Sequence, residues 1–265
     1  MIIDTHCHLN FNLFEDDLSE VLDRARSVGV GRIVVPATDL ATSYEAISLS
    51  HRIPEVFAAV GIHPNDCQSF APSDIEELRT LAGDPKVVAI GEIGLDTFHK
   101  DVELGQQITV FQAQLDIAME LDLPVLIHNR DADDAILPIL ENWILMRIKN
   151  GKNTEIPGIL HAFSSSMAFA RSASDLGFYF GAAGPITYKN ADDKRNIFRS
   201  IDRNKVVLET DSPFLAPNPK RGRRNEPAFT QFIANEMAAI WDISVEKVQE
   251  ITTKNAARIF QWTNL

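Results

Sequence analysis

Cysteine is nearly absent from this 265-residue chain: only Cys7 and Cys67 occur, too few for a disulfide framework, and both are expected as free thiols. The start of the chain lacks a basic segment leading into an apolar one. No stretch approaches the ~18 apolar residues that a membrane span needs, so no membrane association and a cytoplasmic location are expected. A glycine-rich loop after the first apolar run is also missing, which argues against a doubly wound dinucleotide-binding sheet. Positive charge is scarce: 25 Lys and Arg against 37 Asp and Glu leave a net charge of -12. A broad basic footprint for duplex nucleic acid is therefore excluded. There is no low-complexity linker, and the 45% hydrophobic fraction is that of a globular protein.

What the chain does have is eight short apolar runs, each followed by a helical pattern. They are MIID at 1, RIVVPA at 32, EVFAAVGIH at 55, VVAIGEIGLD at 87, PVLIHNR at 124, PGILHAF at 157, FYFGAAGPI at 178 and KVVLETDSP at 205. Near-continuous apolar runs suit strands covered on both faces, as in a parallel sheet wrapped by helices. The segments between them, such as DDLSEVLDRARSVGV and FQAQLDIAMELDL, are amphipathic. Ser73 followed by Glu76 is expected to form a capping box, and glycines to close several helices. Eight βα units followed by helical segments at roughly 226 to 241 and 244 to 260 predict an α/β fold, a (β/α)8 TIM barrel with additional C-terminal helices, forming one domain over 1–265.

Unusual polar residues fall at the carboxyl ends of these runs, where barrel active sites lie. His6 and His8 end the first, His63 the third, Glu92 sits in the fourth, His128 in the fifth, His161 ends the sixth and Asp211 the eighth. Alternation along a strand turns His6 and His8 to one face and Cys7 to the other. Four histidines (His6, His8, His128, His161) with Glu92 and Asp211 form a ligand set for divalent metal ions. Six donors exceed one tetrahedral zinc, which favours two ions sharing a carboxylate and a water; one ion with supporting histidines is the simpler alternative. His51 and His99 are expected at the surface, and His63 beside the ligands or against substrate.

The blocks IIDTHCHL, GEIGLD, LPVLIHNRDADD, VVLETDSP and RRNEP, in this order, resemble the TatD-type metal-dependent deoxyribonucleases of the amidohydrolase superfamily, over essentially the whole chain. The resemblance implies a metal-dependent hydrolase of DNA phosphodiesters with two divalent ions (Mg2+, Mn2+ or Zn2+). His6, His8 and Asp211 would hold one ion, His128 and His161 the other, and Glu92 would bridge them, with Asp211 and Glu92 serving catalysis. HAF at 161–163 departs from the more usual His-Cys-Phe. TFHK after GLD replaces an aromatic pair, and the segment before RRNEP is unusually basic.

That segment brings Lys220, Arg221, Arg223 and Arg224 together, and Arg130 follows His128 closely. Substrate contacts are expected from His63, Arg130, Arg223 and Arg224, with guanidinium suited to phosphate. The acidic net charge then favours trimming of single-stranded or frayed DNA ends over duplex binding. Two other readings are an amidohydrolase acting on a cyclic amide or lactone, and a non-catalytic metal-stabilised scaffold. The first usually uses a carboxylated lysine on strand 4, whose only lysine, Lys86, precedes the strand; for the second, no protein-partner surface is marked.

Overall fold

A computed structural model describes residues 1–263. Its strands are β1 (Ile2–Asp4), β2 (Val30–Pro36), β3 (Val56–Val60), β4 (Val87–Asp96), β5 (Val125–Arg130), β6 (Gly158–Leu160), β7 (Tyr179–Ala182) and β8 (Val206–Leu208). They belong to one sheet in the order β1 to β8. Between them run α1 (Leu18–Ser27), α2 (Leu40–Arg52), α3 (Pro72–Leu81), α4 (Leu104–Leu121), α5 (Asp133–Lys149), α6 (Met167–Asp175) and α7 (Asp192–Ser200), with α8 (Thr230–Trp241) and α9 (Val245–Ile259) at the end. This is the (β/α)8 TIM-barrel fold that the sequence predicts; of the two C-terminal helical segments expected beyond it, α8 completes the eighth βα unit and α9 is additional. No helix among the described residues is long and apolar enough to cross a membrane.

The apolar runs become strands because both of their faces are covered: β1, β6, β7 and β8 are buried throughout, and β4 at all but one residue. Short polar side chains set the starts of α2, α6 and α9. Asp39 accepts the Thr42 N–H at 2.7 Å while Thr42 Oγ1 accepts the Asp39 N–H at 2.9 Å, and Ser166 and Ser244 cap α6 and α9.

The capping box expected at Ser73 and Glu76 does not form. Pro72 starts α3, and Asp74 accepts the Ala71 N–H at 2.9 Å, because proline's fixed φ suits the first helical position and puts Asp74 third. Gly29 (φ 85°) and Gly177 (φ 95°) close α1 and α6 in the left-handed region as predicted. The helices α4 and α8 instead end on Asp122 and Asp242, at φ 53° and 52°.

Contacts divide the chain into two compact units. The first comprises 1–35, 161–163 and 180–265; the second comprises 36–160 and 164–179. In the first, the chain beyond β1 runs alongside the chain beyond β8: Thr5 N–H donates to Leu208 O at 3.0 Å, Asp211 N–H to His6 O at 2.8 Å and His8 N–H to Ser212 O at 2.8 Å. In the second, β4 pairs with β5 so that Gly94 faces His128 and Asp96 faces Arg130. A Cβ at Gly94 (φ 146°) would lie 1.9 Å from His128 O, so only glycine admits this approach.

Candidate metal centres

In the first unit the paired backbones deliver His6, His8 and Asp211 to one place. His6 Nε2 and His8 Nε2 are 3.2 Å apart, and each is 3.6 Å from Asp211 Oδ1. The His161 ring stacks on the His6 ring at 4.0 Å, and donor atoms of His6, His161 and Asp211 lie within 4.8 Å of one another. Burial raises the Asp211 carboxyl, but the His8 hydrogen bond and the charges of His161, His6 and His8 outweigh it and hold the group below its ordinary range. Asp211 sits at φ 56° and Ala162, next to His161, at φ 42°. For residues with a Cβ such a backbone costs on the order of 1 kcal/mol or more and persists where surrounding structure enforces it, as at functional sites.

Four further side chains surround this group. Asp4, fully buried, accepts the Thr210 N–H at 2.9 Å, the Thr210 hydroxyl at 2.6 Å and the His6 N–H at 3.3 Å. Burial pushes Asp4 up to about 8 against these three donors. Glu209, also fully buried, occupies space left by Gly181, where a Cβ would meet its carboxylate at 2.4 Å. It accepts from the Ala162 N–H and the Thr5 hydroxyl, and lies 3.8 Å from His161 Nδ1. Burial pushes Glu209 up to about 7, with the His161 charge pulling the other way. Phe11 stacks on the His8 ring at 4.6 Å, and the half-exposed Phe214 meets both edge-on.

The second unit carries its own donor group, His63, Glu92 and His128, with donor atoms within 4.8 Å of one another. His63 Nε2 is 3.5 Å and His128 Nδ1 2.8 Å from Glu92 Oε1. The other face of His128 is held as well: its Nε2 lies 3.2 Å from Asp96 Oδ2. Asp96 also receives Asn65 Nδ2 at 3.1 Å, His99 Nδ1 at 2.8 Å and the Phe98 and His99 N–H groups at 2.9 Å each. Burial raises the Asp96 carboxyl, yet these partners, His128 foremost, drive it far below the usual range.

The donor chemistry fits divalent cations. Ligands at ~2.0 to 2.2 Å from an ion, separated by octahedral or tetrahedral angles, stand roughly 2.8 to 3.6 Å from each other. The His6, His8 and Asp211 separations fall in that window. A neutral imidazole has one N–H; giving it to Asp96 turns the His128 Nδ1 lone pair toward a Glu92 oxygen 2.8 Å away, which a shared proton or cation must reconcile. A carboxylate behind a histidine is the usual way to orient a metal ligand.

Of the residues singled out in the sequence, His6, His8, His161 and Asp211 meet in one unit, and His63, Glu92 and His128 in the other. His63, expected beside the ligands or at substrate, is itself in a donor group. His51 is at the surface, paired with Asp84 at 2.9 Å. His99 is half-exposed as expected, yet bonded to Asp96. Arg130 lies over the exposed Phe98 ring at 4.3 Å. The basic loop does not act as one patch: Arg224 pairs with Asp17 at 2.6 and 2.8 Å and covers Phe14, Arg221 covers Tyr188, and Arg223 is exposed. Sequence reasoning passed over Asp4, Glu209 and Asp96. The first two stand two residues before a candidate ligand, His6 and Asp211, and that same-face spacing was the available signal.

The TatD related DNase family matches residues 3–261. The metal-dependent hydrolase YabD of Bacillus subtilis is 37% identical over 98% of this chain and 99% of its own. The 3'-5' ssDNA/RNA exonuclease TatD of Salmonella typhimurium is 33% identical, covering 98% of each chain. The crystal structure of YjjV, a TatD homologue from Escherichia coli, superposes with a TM-score of 0.90 at 30% identity, over 98% of both chains. Ligand-grade clusters of histidine and carboxylate on a (β/α)8 frame, together with a match from end to end, make this chain a member of the TatD-related DNase family of metal-dependent hydrolases.

Proposed function

We propose that the chain is a cytoplasmic nuclease that hydrolyses phosphodiester bonds of DNA, trimming single-stranded or frayed ends as a single hydrolase domain with two divalent ions. The observation that carries the reading is the presence of two donor groups of ligand spacing, each backed by buried carboxylates: His6, His8, His161 and Asp211 in one, His63, Glu92 and His128 in the other. Mg2+, Mn2+ or Zn2+ all suit such donors. Bound there, divalent cations supply a water acidic enough to act near neutral pH and counter-charge for phosphate oxygens.

The chain's own residues do the rest. Asp211, kept anionic by three histidines, orients the attacking water and takes its proton as the water oxygen bonds to phosphorus and the bond to the leaving sugar oxygen breaks. Glu92 fixes His63 and His128, while Asp96 keeps the His128 ring from turning. Arg130, steadied on Phe98, and the exposed Arg223 take non-bridging phosphate oxygens, and Arg224 presents its neighbour by anchoring the loop on Asp17. With a net charge of -12, few phosphates are held at once, which suits a strand end better than a duplex.

The test combines elemental analysis of the purified protein with digestion of end-labelled single-stranded and duplex oligonucleotides, beside an aryl phosphodiester and a panel of lactones and cyclic amides. Expected are bound divalent metal, stepwise shortening of single strands and turnover of the aryl ester. Glu92→Ala should lose metal and hydrolysis together; full metal content with full activity in that variant would refute the assignment. Turnover confined to lactones or amides would transfer the chemistry to another bond, and a protein that turns over nothing with metal bound would be a scaffold.

A further inference from the structure

The first unit contains a cavity of about 460 Å3 walled by Tyr188, Lys189, Lys194, Asn218 and Arg221, none of them a residue of the donor groups. That volume is in the range of sites that enclose a nucleotide-sized group. Three of its lining side chains are cationic and none is acidic, in a chain whose net charge is -12. Asp192 and Asp193 are the nearest acids in sequence, and Asp192 is engaged by Arg195 at 2.8 Å.

Two segments build the walls, one following β7 and one following β8, and they are stitched together. Asn218 donates its N–H to Thr187 Oγ1 at 2.8 Å and its amide to Thr187 O at 2.9 Å, and the Tyr188 hydroxyl donates to Ala216 O at 3.1 Å. Arg195 holds the turn from behind, donating to Ile186 O and Tyr188 O at 2.8 Å each. The Arg221 guanidinium lies over the Tyr188 ring at 4.5 Å. The cations are thus carried on a braced frame, which lowers the ordering cost of gripping an anion. The loop that brings Asn218 and Arg221 is the one that leaves Asp211, so the cavity belongs to the same strand ends as a donor group.

We propose that this cavity is a second substrate subsite, which holds the phosphodiester backbone of a single-stranded nucleic acid away from the scissile bond through Lys189, Lys194 and Arg221. It rests on the nucleic-acid reading above and adds where the uncut part of the strand is gripped. Lysine supplies point charge and arginine bidentate contacts, the pairing that tracks a backbone without reading sequence.

The test measures binding apart from cleavage: anisotropy of a fluorescein-labelled oligothymidylate in EDTA, across a salt series, for the wild type and a Lys189→Ala/Arg221→Ala double variant. Both side chains are on the surface, and circular dichroism checks the fold. The double variant should bind about tenfold more weakly, and its slope of log affinity against log salt should fall by about 1.4, at 0.7 per lost phosphate contact. Lys189→Arg with Arg221 intact should retain wild-type binding. Thymidine monophosphate and inorganic phosphate, which share the chemistry but not the chain, should displace the oligonucleotide poorly.

Unchanged affinity and slope in the double variant would overturn the proposal, as would full displacement by the mononucleotide at matched phosphate concentration. A wild-type protein that binds no oligonucleotide yet hydrolyses an aryl phosphodiester would also remove the subsite while leaving the hydrolase reading intact. Oligonucleotide binding lost in the double variant, with no hydrolysis of any ester by the metal-loaded wild type, would keep the subsite and sink the nuclease.

Discussion

Asp4 holds Thr210 by both of its oxygens, taking the backbone N–H at 2.9 Å and the hydroxyl at 2.6 Å, with no part of the carboxylate exposed. The Thr210 hydroxyl in turn accepts the Ser212 hydroxyl at 2.7 Å and the Ser212 N–H at 3.2 Å. This chain fastens the residues on either side of Asp211 to Asp4, two residues before His6. It is why a strand of three residues can position ligands beyond its own end.

Thr210→Val keeps the shape and removes the hydroxyl, leaving one Asp4 oxygen and the Ser212 hydroxyl short of a buried partner. The expected loss is about 1 to 3 kcal/mol of stability. Thermal denaturation of the metal-depleted protein should show a melting point lower by several degrees, at roughly 2 to 4 °C per kcal/mol for a domain near this size. Metal affinity should weaken with it, because Asp211 loses its anchor. A variant melting with the wild type would mean that the hydroxyl contacts carry no net energy.

Asp96 acts on His128 from behind. Asp96→Asn preserves volume but replaces the acceptor oxygen with an amide in some rotamers, so the imidazole loses both its orientation and the charge that raises its basicity. Weaker metal binding by about 10- to 100-fold is expected, as for other carboxylates behind metal-ligating histidines. Competition with a fluorescent chelator reads this directly. His99→Ala, which leaves the Asp96 contact to His128 in place, should weaken metal by much less; equal losses in the two variants would assign the effect to the whole loop.

The parts of this architecture visible in the sequence are those where burial or spacing leaves a local mark. The VVAIGEIGLD run becomes β4 from end to end, because a strand covered on both faces must be apolar throughout, and the polar exception Glu92 stands out against it. His6 and His8 are legible by the two-residue period. The start of α3 is ambiguous in the sequence because a box of Ser73 with Glu76 and a start at Pro72 with Asp74 third both fit, and proline's fixed φ decides for the second. Arg224 stands in a basic run, yet its partner Asp17 lies 207 positions away in sequence. No local pattern encodes a pair of that kind.

Arg223 and Arg224 are adjacent but should separate experimentally. Arg224→Ala breaks a two-pronged pair with Asp17 and uncovers Phe14, so a loss of about 1 kcal/mol is expected, near the upper end for exposed ion pairs. Its melting point should fall, and the Michaelis constant for oligonucleotides should rise as the loop loosens. Arg223→Ala should raise that constant with the melting point unchanged, since its side chain is exposed. The reverse pattern would make Arg224 the phosphate ligand and Arg223 the anchor.

Glu209 gives the fold a pH dependence in which stability falls as pH rises. Burial raises its carboxyl to about 7 from the model-peptide value near 4.5, so the folded chain holds this proton more tightly than the unfolded chain does. The stabilisation is complete below pH ~4.5 and is lost as pH rises through about 7, by on the order of 3 kcal/mol over that window. In metal-depleted protein the melting point should therefore fall between pH 5 and 7 more steeply in the wild type than in Glu209→Gln. The glutamine keeps an acceptor for the Ala162 N–H but has no proton to lose. Parallel melting curves for the two proteins across that range would show that Glu209 is ionised in the fold, held by the His161 charge and its two donors in spite of its burial.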